Sequence, residues 1–584
     1  MDKKSIAAVL DEMGTLLELQ GANPFKSRAF HNASRAVEGI TEDLEALVAA
    51  GKLTEVKGIG ASIGAIIADL AVKGKSKEYT DLRKGFPDGV LEMLKIQGLG
   101  PKKVKILFDK QKIRTLDQLE KAAKAGRLAS LEGFGKKTEE NILAGIQALR
   151  SRSDKHLFSS AYESARSLHD HMMKQKGVVR CEIAGSLRRR KEIIGDIDIV
   201  LSARDGDRTR LMAAFVAHPD VTAVVAQGDT KSSVTLASGI NCDLRIVDDA
   251  EFPFALNYFT GSKEHNVELR TRAKKYGLSL NEYGFSRLGE EEKRGKGKKA
   301  VRCDDEEGIY RALEMAYVPP ELRENRGEIE AAIAGNLPDL LRVEDIRGTF
   351  HCHTTYSDGV NTLEQMAAGA KSHGWEYLGI GDHSKVAAYA GGLSKEKLAA
   401  QFREIDELNA LMKPFRLLKG TECDILPDGT LDWSDGVLAT FDYVVVSIHS
   451  NFKMTESAMT KRIIRALKNK YVTMLGHPTG RLLLARDAYP VNMTDVINAA
   501  ADYGRIIEIN AHPTRLDLDW RLCPYAKEKG VMIAINPDAH TVEGLNDVAY
   551  GVGIARKGWL SKNDVLNARP LGGVMQYLAQ HQTR

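Results

Sequence analysis

The sequence predicts a multidomain chain of mixed class: a helical N-terminal third, an α+β middle and an α/β C-terminal third. Three observations predict it. A Gly-apolar-Gly signature recurs three times before residue 140, two aspartates alternate in the strand-like run Asp196-Ile197-Asp198, and nine of the 15 histidines lie after residue 345, most of them behind short apolar runs. At 584 residues several domains are expected. No apolar run approaches the length that spans a membrane, and Met1-Asp2-Lys3-Lys4 leads into an amphipathic helix rather than a signal peptide. Cys181, Cys242, Cys303, Cys352, Cys423 and Cys523 lack metal-type spacing, which implies reduced thiols in a reducing, cytoplasmic compartment. A net charge of +4 does not by itself mark a nucleic-acid binder.

The N-terminal third is more telling. Residues 51–150 carry 20 Lys+Arg against 12 Asp+Glu, and they hold the repeat. Its copies are Val56-Lys57-Gly58-Ile59-Gly60, Ile96-Gln97-Gly98-Leu99-Gly100-Pro101-Lys102-Lys103 and Leu131-Glu132-Gly133-Phe134-Gly135-Lys136-Lys137. Glycines permit a tight turn and close approach of the backbone. The exposed N–H groups of the helix that follows bind a phosphate without reading bases, and Lys102, Lys103, Lys136 and Lys137 add charge there. One copy alone would read as a helix boundary; three favour helix-hairpin-helix DNA binding. With Asn23-Pro24-Phe25-Lys26-Ser27-Arg28-Ala29-Phe30, the segment resembles the N-terminal helical region and fingers of the X family of DNA polymerases. The expected domains are residues 1–90, holding the first hairpin, and 91–157, holding the other two. Members of that family with deoxyribose-phosphate lyase activity carry a Schiff-base lysine on the helix after the first hairpin. Here that helix, 61–72, has no lysine, and Ile66 aligns with the nucleophile. An isoleucine forms no imine, so no lyase of that type is expected.

The middle of the chain holds Gly185-Ser186, then Arg188-Arg189-Arg190, then Gly195-Asp196-Ile197-Asp198. Alternate residues of a strand share a face, so Asp196 and Asp198 point together and suit a divalent ion whose coordination substrate phosphates complete. The Gly185-Ser186 turn offers backbone N–H groups and a hydroxyl to a triphosphate. Asn241-Cys242-Asp243-Leu244-Arg245 reads as another strand that places Asp243 beside the first two, giving the carboxylates of a two-metal nucleotidyltransferase site with Mg²⁺ or Mn²⁺. The family resemblance continues through this region, 158–320, as a nucleotidyltransferase palm with thumb. It implies that Ser186 and Arg189 bind the triphosphate and that Arg245 restrains the carboxylates. It implies that Tyr258, Phe259 and Gly261 pack under the incoming sugar, that Lys263 and Asn266 reach the incoming base, and that Arg270 reaches the templating base. The charged run 289–300 reads as a solvated thumb loop, and the acidic stretch 321–345 as a linker.

A different chemistry starts at His351-Cys352-His353. Asp358, His383, Glu422, His449, His477, Asp538 and His540 follow successive apolar runs. His-x-His on a strand puts both imidazoles on one face, and the strand–helix alternation suggests an α/β barrel whose strand ends converge on one site. By the same parity Cys352 points away, and His373 and His512 read as structural. The pattern over 346–584 resembles the PHP (polymerase and histidinol phosphatase) domain, a distorted (β/α)7 barrel with up to three Zn²⁺ or Mn²⁺ ions. The resemblance implies one metal on His351, His353, Glu422 and Asp538. A second would lie on Glu422, His449 and His477, and a third on Asp358, His383 and His540.

The whole chain thus resembles a bacterial family X DNA polymerase with a C-terminal PHP domain. That implies template-directed gap filling on primer-template DNA with dNTPs, and a 3′-5′ exonuclease or 3′-end-processing phosphoesterase that also cuts at abasic sites. A monomer in the bacterial cytoplasm, with no membrane partner, is expected. Two other readings stand beside it: a template-independent transferase with a small-molecule phosphatase, and a non-catalytic DNA-end binder.

Overall fold

The computed structural model describes every residue except 2, 39, 41–43, 57, 97, 132, 153, 205, 289–300, 388–389 and 583–584. The charged run 289–300 therefore lies outside the described residues. The chain forms two compact units, Met1–Ser153 and Asp154–Arg584.

The first unit is helical around a core that includes Leu10, Leu16, Ile67, Val90, Val104 and Leu107. Its repeat is built the same way each time. Gly58, Gly98 and Gly133 have φ of +99°, +87° and +79°, a left-handed turn that a side chain would strain. Ile59, Leu99 and Phe134, between the paired glycines, are buried and pin the turn to the core. Gly60 and Gly100 then cap α1 (Ala61–Lys73) and α2 (Pro101–Gln111), with no side chain bonded to their first amides. Gly135 precedes α3 (Lys136–Arg152). A Cβ at Gly60, Gly100 or Gly135 would meet nothing within 4 Å, so this backbone is open to a partner.

The second unit begins with α4 (Phe158–Met173), which buries Phe158, Ala161, Ala165, Leu168 and Met172 at helical spacing. It packs on a sheet of β1 (Val178–Ile183), β2 (Asp196–Ala203), β3 (Val221–Gln227), β4 (Lys231–Leu236) and β5 (Asn241–Val247), in the order β1-β2-β5-β4-β3. The pairing of β2 with β5 is parallel and the others are antiparallel. Beyond it, α5 (Phe252–Thr260) and α6 (Lys263–Lys275) share a core with Phe285, Ile309 and Tyr310.

The 321–345 stretch is not a tether. Leu322, Ile329, Ala332 and Leu340 join that same core, and Arg323 is wholly buried. Two of its acidic residues are paired in the interior: Glu328 accepts from His265 at 2.6 Å, and Glu324 from Arg189 at 2.9 Å.

The C-terminal part has two parallel sheets. One holds β6 (Gly348–Cys352), β7 (Tyr377–Ile380) and β8 (Arg416–Leu418). The other holds β9 (Gly420–Asp424), β10 (Tyr443–Ser447), β11 (Met474–Leu475), β12 (Ile506–Asn510) and β13 (Ile533–Asn536). Only Lys419 separates β8 from β9, so they are one strand broken once, and among the described residues the strand positions number seven. Bridges Cys352–Ala539 and His383–Glu422 connect the two sheets. The near-continuous apolar strands suit a parallel sheet covered on both faces.

Candidate active sites

In the palm, register does the work that the alternation of residues predicts. Asp196 lies opposite Asn241 and Asp198 opposite Asp243, so Asp198 and Asp243 are lateral neighbours on one face. Asp196 is exposed at the strand mouth and the other two are half-buried. Burial, then the charges of Asp196 and Asp243, push the Asp198 carboxyl up to about 6. Against them stands Lys231, whose Nζ is 2.7 Å from Asp243, while Ser233 donates to Asp243 at 2.6 Å. A crowded, under-neutralised carboxylate group is the donor set that a hard divalent cation satisfies. Lys231 and Ser233 carry no sequence signature; their place on β4, which pairs with β5, is what delivers them.

Gly185 opens the turn beside these carboxylates with φ +65°, and a Cβ built on it would lie 2.5 Å from Asp198 Oδ2. Only glycine lets the turn sit this close. Gly185→Ala is expected to lower the chemistry supported by the three carboxylates at least about tenfold, through left-handed strain and displacement of Asp198, and to leave the C-terminal histidine cluster unaffected; paired rate assays on the purified variant check this. Ser186 is half-buried beside it. Arg189 is held inward, donating to Glu324 and to the Thr260 carbonyl at 2.8 Å. Gly195 packs against Lys155.

Arg245 lies over the Phe259 ring at 4.2 Å, and Tyr258 and Phe259 meet edge-on at 5.1 Å. Asn266 and Arg270 share α6, and Asn266 donates to the Tyr258 carbonyl at 2.7 Å. A Cβ at Gly261 would collide with Asn266 Oδ1, so this glycine too is set by a close approach. Lys263 is exposed at the start of the same helix. A cavity of about 210 Å³ adjoins Lys231, Arg245 and Phe259.

In the C-terminal part all nine expected side chains converge. Glu422 is the hub. Its Oε1 faces His351 Nε2 at 3.2 Å, His449 Nε2 at 3.2 Å and His477 Nε2 at 2.9 Å. Its Oε2 faces His383 Nδ1 at 3.0 Å and His353 Nε2 at 3.8 Å. Asp538 approaches His353 at 3.1 Å and His351 at 3.6 Å. Asp358 approaches His540 at 3.5 Å, His383 at 3.6 Å and His353 at 3.7 Å. The groups that could each hold an ion are His351/His353/Asp538, His351/Glu422/His477, His383/Glu422/His449 and His353/Asp358/His383/His540. They overlap more than the expected partition: His383 borders the Glu422–His449 group as well as Asp358 and His540, because the two Glu422 oxygens face opposite sides.

The donor set fits metal. Burial would raise the Glu422 carboxyl, but His449, His351 and His383 overcome it and hold the group well below the ordinary carboxylate range. His351 Nε2 and His353 Nδ1 are buried with no hydrogen-bond partner, a costly state that an ion relieves. His351, His477 and Asp538 have φ of +56°, +22° and +54°, backbone strain of the kind that clusters at functional sites. Partners behind the ring are in place: His351 Nδ1 meets Glu508 at 2.7 Å and His449 Nδ1 meets Asp424 at 2.9 Å, fixing which nitrogen faces inward. Sequence reasoning passes over both carboxylates, though each left a trace. Glu508 interrupts an apolar strand, and Asp424 shares strand parity with Glu422. Cys352 packs into the apolar core, His373 stacks on Trp375 and His512 bonds Thr514, so none of the three joins the cluster.

In the helical unit Lys102, Lys136 and Lys137 are exposed, and Lys103 lies over the Phe134 ring at 5.6 Å. Ile66 is buried in α1.

Family models match in the order of these parts: a helix-hairpin-helix domain over residues 1–76, a SAM-like helix-hairpin-helix tandem over 90–148, a DNA polymerase beta thumb over 255–324 and a PHP domain over 349–512. Over 583 residues the chain is 37% identical to the DNA polymerase/3′-5′ exonuclease PolX of Bacillus subtilis, covering 100% of both. The chain belongs to the PolX family. The chain is also similar to a probable phosphatase of Thermoanaerobacter sp. strain X514, at 28% identity over 245 residues, 40% of this chain and 95% of that one. A crystal structure of Leishmania infantum polymerase beta in a ternary complex covers 41% of this PolX chain and 100% of its own, at 26% identity and a TM-score of 0.27.

Proposed function

We propose that the palm adds a deoxynucleotide to a DNA primer 3′-hydroxyl under the direction of a template, in short gaps, and that the PHP site removes nucleotides from 3′ ends. The observation that carries the first half is the Asp198–Asp243 register pair with the Gly185 turn seated against it. Asp196, Asp198 and Asp243 hold Mg²⁺ or Mn²⁺, and the Gly185-Ser186 turn and Arg189 receive the triphosphate. Tyr258, Phe259 and Gly261 support the sugar; Lys263, Asn266 and Arg270 face the bases, and Arg245 steadies the carboxylates. The nine PHP side chains hold up to three Zn²⁺ or Mn²⁺ ions. Divalent ions at the two sites supply an activated hydroxyl or water and neutralise charge on the phosphoryl group. Glu508 and Asp424 keep His351 and His449 in the ligating tautomer. The three hairpins hold the DNA backbone through Gly58, Gly60, Gly98, Gly100, Gly133 and Gly135 and the lysines beside them, independent of sequence.

The same PHP site fits 3′-phosphate removal and incision at abasic sites. The enzyme works as a monomer in the bacterial cytoplasm.

The test is addition to one-nucleotide-gapped DNA with Mn²⁺ and each dNTP in turn. Incorporation of the nucleotide that pairs with the template supports the reading; equal incorporation of all four would make the enzyme a template-independent transferase. Borohydride with abasic DNA is expected to trap no adduct within residues 1–90, since α1 has a buried isoleucine at position 66 and lysine only at its last position.

A further inference from the structure

Four side chains of the loop that follows the Gly185-Ser186 turn, those of Arg188, Arg189, Arg190 and Glu192, are held by groups outside the palm sheet. Arg188 pairs with Glu306 at 2.6 Å. Arg190, at φ +56°, lies over the Phe158 ring at 5.1 Å, and α7 (Val548–Lys557) comes so near that a Cβ on Gly553 would touch it at 3.4 Å. Glu192 accepts from Trp520 Nε1 and from Arg521, both at 3.2 Å. Trp520, Arg521 and α7 all belong to the PHP part.

Lys557, the last residue of α7, is the centre of this junction. It is 0% exposed, a rare state for lysine. Its Nζ donates to the Arg189 carbonyl at 3.0 Å, to the Glu321 carbonyl at 3.3 Å and to Glu324 Oε1 at 2.6 Å, and it lies over the Trp520 ring at 4.5 Å. That same Glu324 oxygen accepts from Arg189 Nε. One PHP-domain ammonium therefore holds both the backbone of the triphosphate loop and the carboxylate that aims the Arg189 guanidinium. The loop is in turn coupled to the carboxylates: Ala184 N donates to the Asp198 carbonyl at 2.8 Å, and Gly185 abuts the Asp198 side chain.

We infer that Lys557 is a positioning residue for the polymerase reaction: through Glu324 and the Arg189 carbonyl, the hydrolase domain sets the loop that receives the incoming triphosphate. No PHP ligand touches Lys557, so its influence runs to the polymerase and not to the hydrolase. The inference rests on the reading of the Gly185-Ser186 turn as the triphosphate site.

The experiment compares the full-length parent with Lys557→Met, Glu324→Gln and the double variant, measuring KM and kcat for dNTP addition on gapped DNA beside 3′-end degradation. Lys557→Met keeps an unbranched side chain of similar length and removes the ammonium together with its place over Trp520; Glu324→Gln keeps shape and removes the charge. Loss of a buried charge-assisted bond predicts a dNTP KM raised about tenfold or more in each variant, with degradation within about twofold of the parent. The double variant is expected to be no worse than the poorer single, because both act through one network. An unchanged dNTP KM in folded Glu324→Gln and Lys557→Met proteins would overturn the inference, and so would a parallel fall in both activities. A parent that fails to add nucleotide at all would instead refute the underlying reading of the palm.

Discussion

Asp198→Ala is expected to abolish primer extension, lowering kcat/KM by about a thousandfold or more, while 3′-end degradation stays within about twofold of the parent. Asp198 is expected to be the least replaceable of the three carboxylates because it lies opposite Asp243, feels the charges of both others and abuts the turn. Its raised pKa adds a pH dependence with a definite sign. Because the folded carboxyl titrates near 6 rather than at its ordinary value of 3.8, it is protonated below about pH 6, and a metal must displace that proton. Metal affinity at the palm rises as pH climbs through about 6 and then levels off. The stability linkage runs the other way. In the metal-free protein the folded state binds more protons between 3.8 and about 6, so whatever stability this group contributes below that window is lost as pH rises through it. Calorimetric titration of Mn²⁺ into the His351→Ala protein, whose PHP site is impaired, between pH 5 and 8 separates the two effects.

Glu422→Gln is expected to cost the hydrolase about a thousandfold or more, with extension retained. Both Glu422 oxygens are committed, one toward His351, His449 and His477 and the other toward His383 and His353, so one substitution weakens the attachment of neighbouring ions together. Metal content by elemental analysis should fall with the activity. Asp424→Asn touches only the far side of His449 and should cost about 10–100-fold. Equal losses in the two variants would mean that Glu422 acts through the fold rather than through the ions.

Much of this was legible in the residues, for a reason particular to strands. Two-residue periodicity puts Asp196 with Asp198 without any knowledge of the tertiary fold, and the parallel pairing of β2 and β5 then seats Asp243 beside Asp198; His351 and His353 also meet, but through the left-handed backbone at His351 and a register shift before Cys352 rather than through strand parity. The Gly-apolar-Gly repeats were legible because a left-handed turn and an open helix start each demand glycine. What escaped is set mainly by tertiary pairing. Lys231 reaches Asp243 from the neighbouring strand, and Glu508 reaches His351 from a strand of the other sheet that does not pair with its own. The stretch 321–345 looked like a linker because its charge suggested solvation, whereas Glu324 and Glu328 are paired in the interior with Arg189 and His265. Lys557 meets Arg189 across 368 residues of sequence. Composition carries no trace of such a contact.

On this reading one chain carries two separate metal-dependent sites with opposite effects on a primer end. The most direct measurement is extension and degradation of one-nucleotide-gapped DNA with Mn²⁺ by the parent, Asp196→Ala and His351→Ala proteins. Asp196→Ala is expected to lose extension and keep 3′ degradation, and His351→Ala to do the reverse. Loss of both activities together in either variant would contradict it.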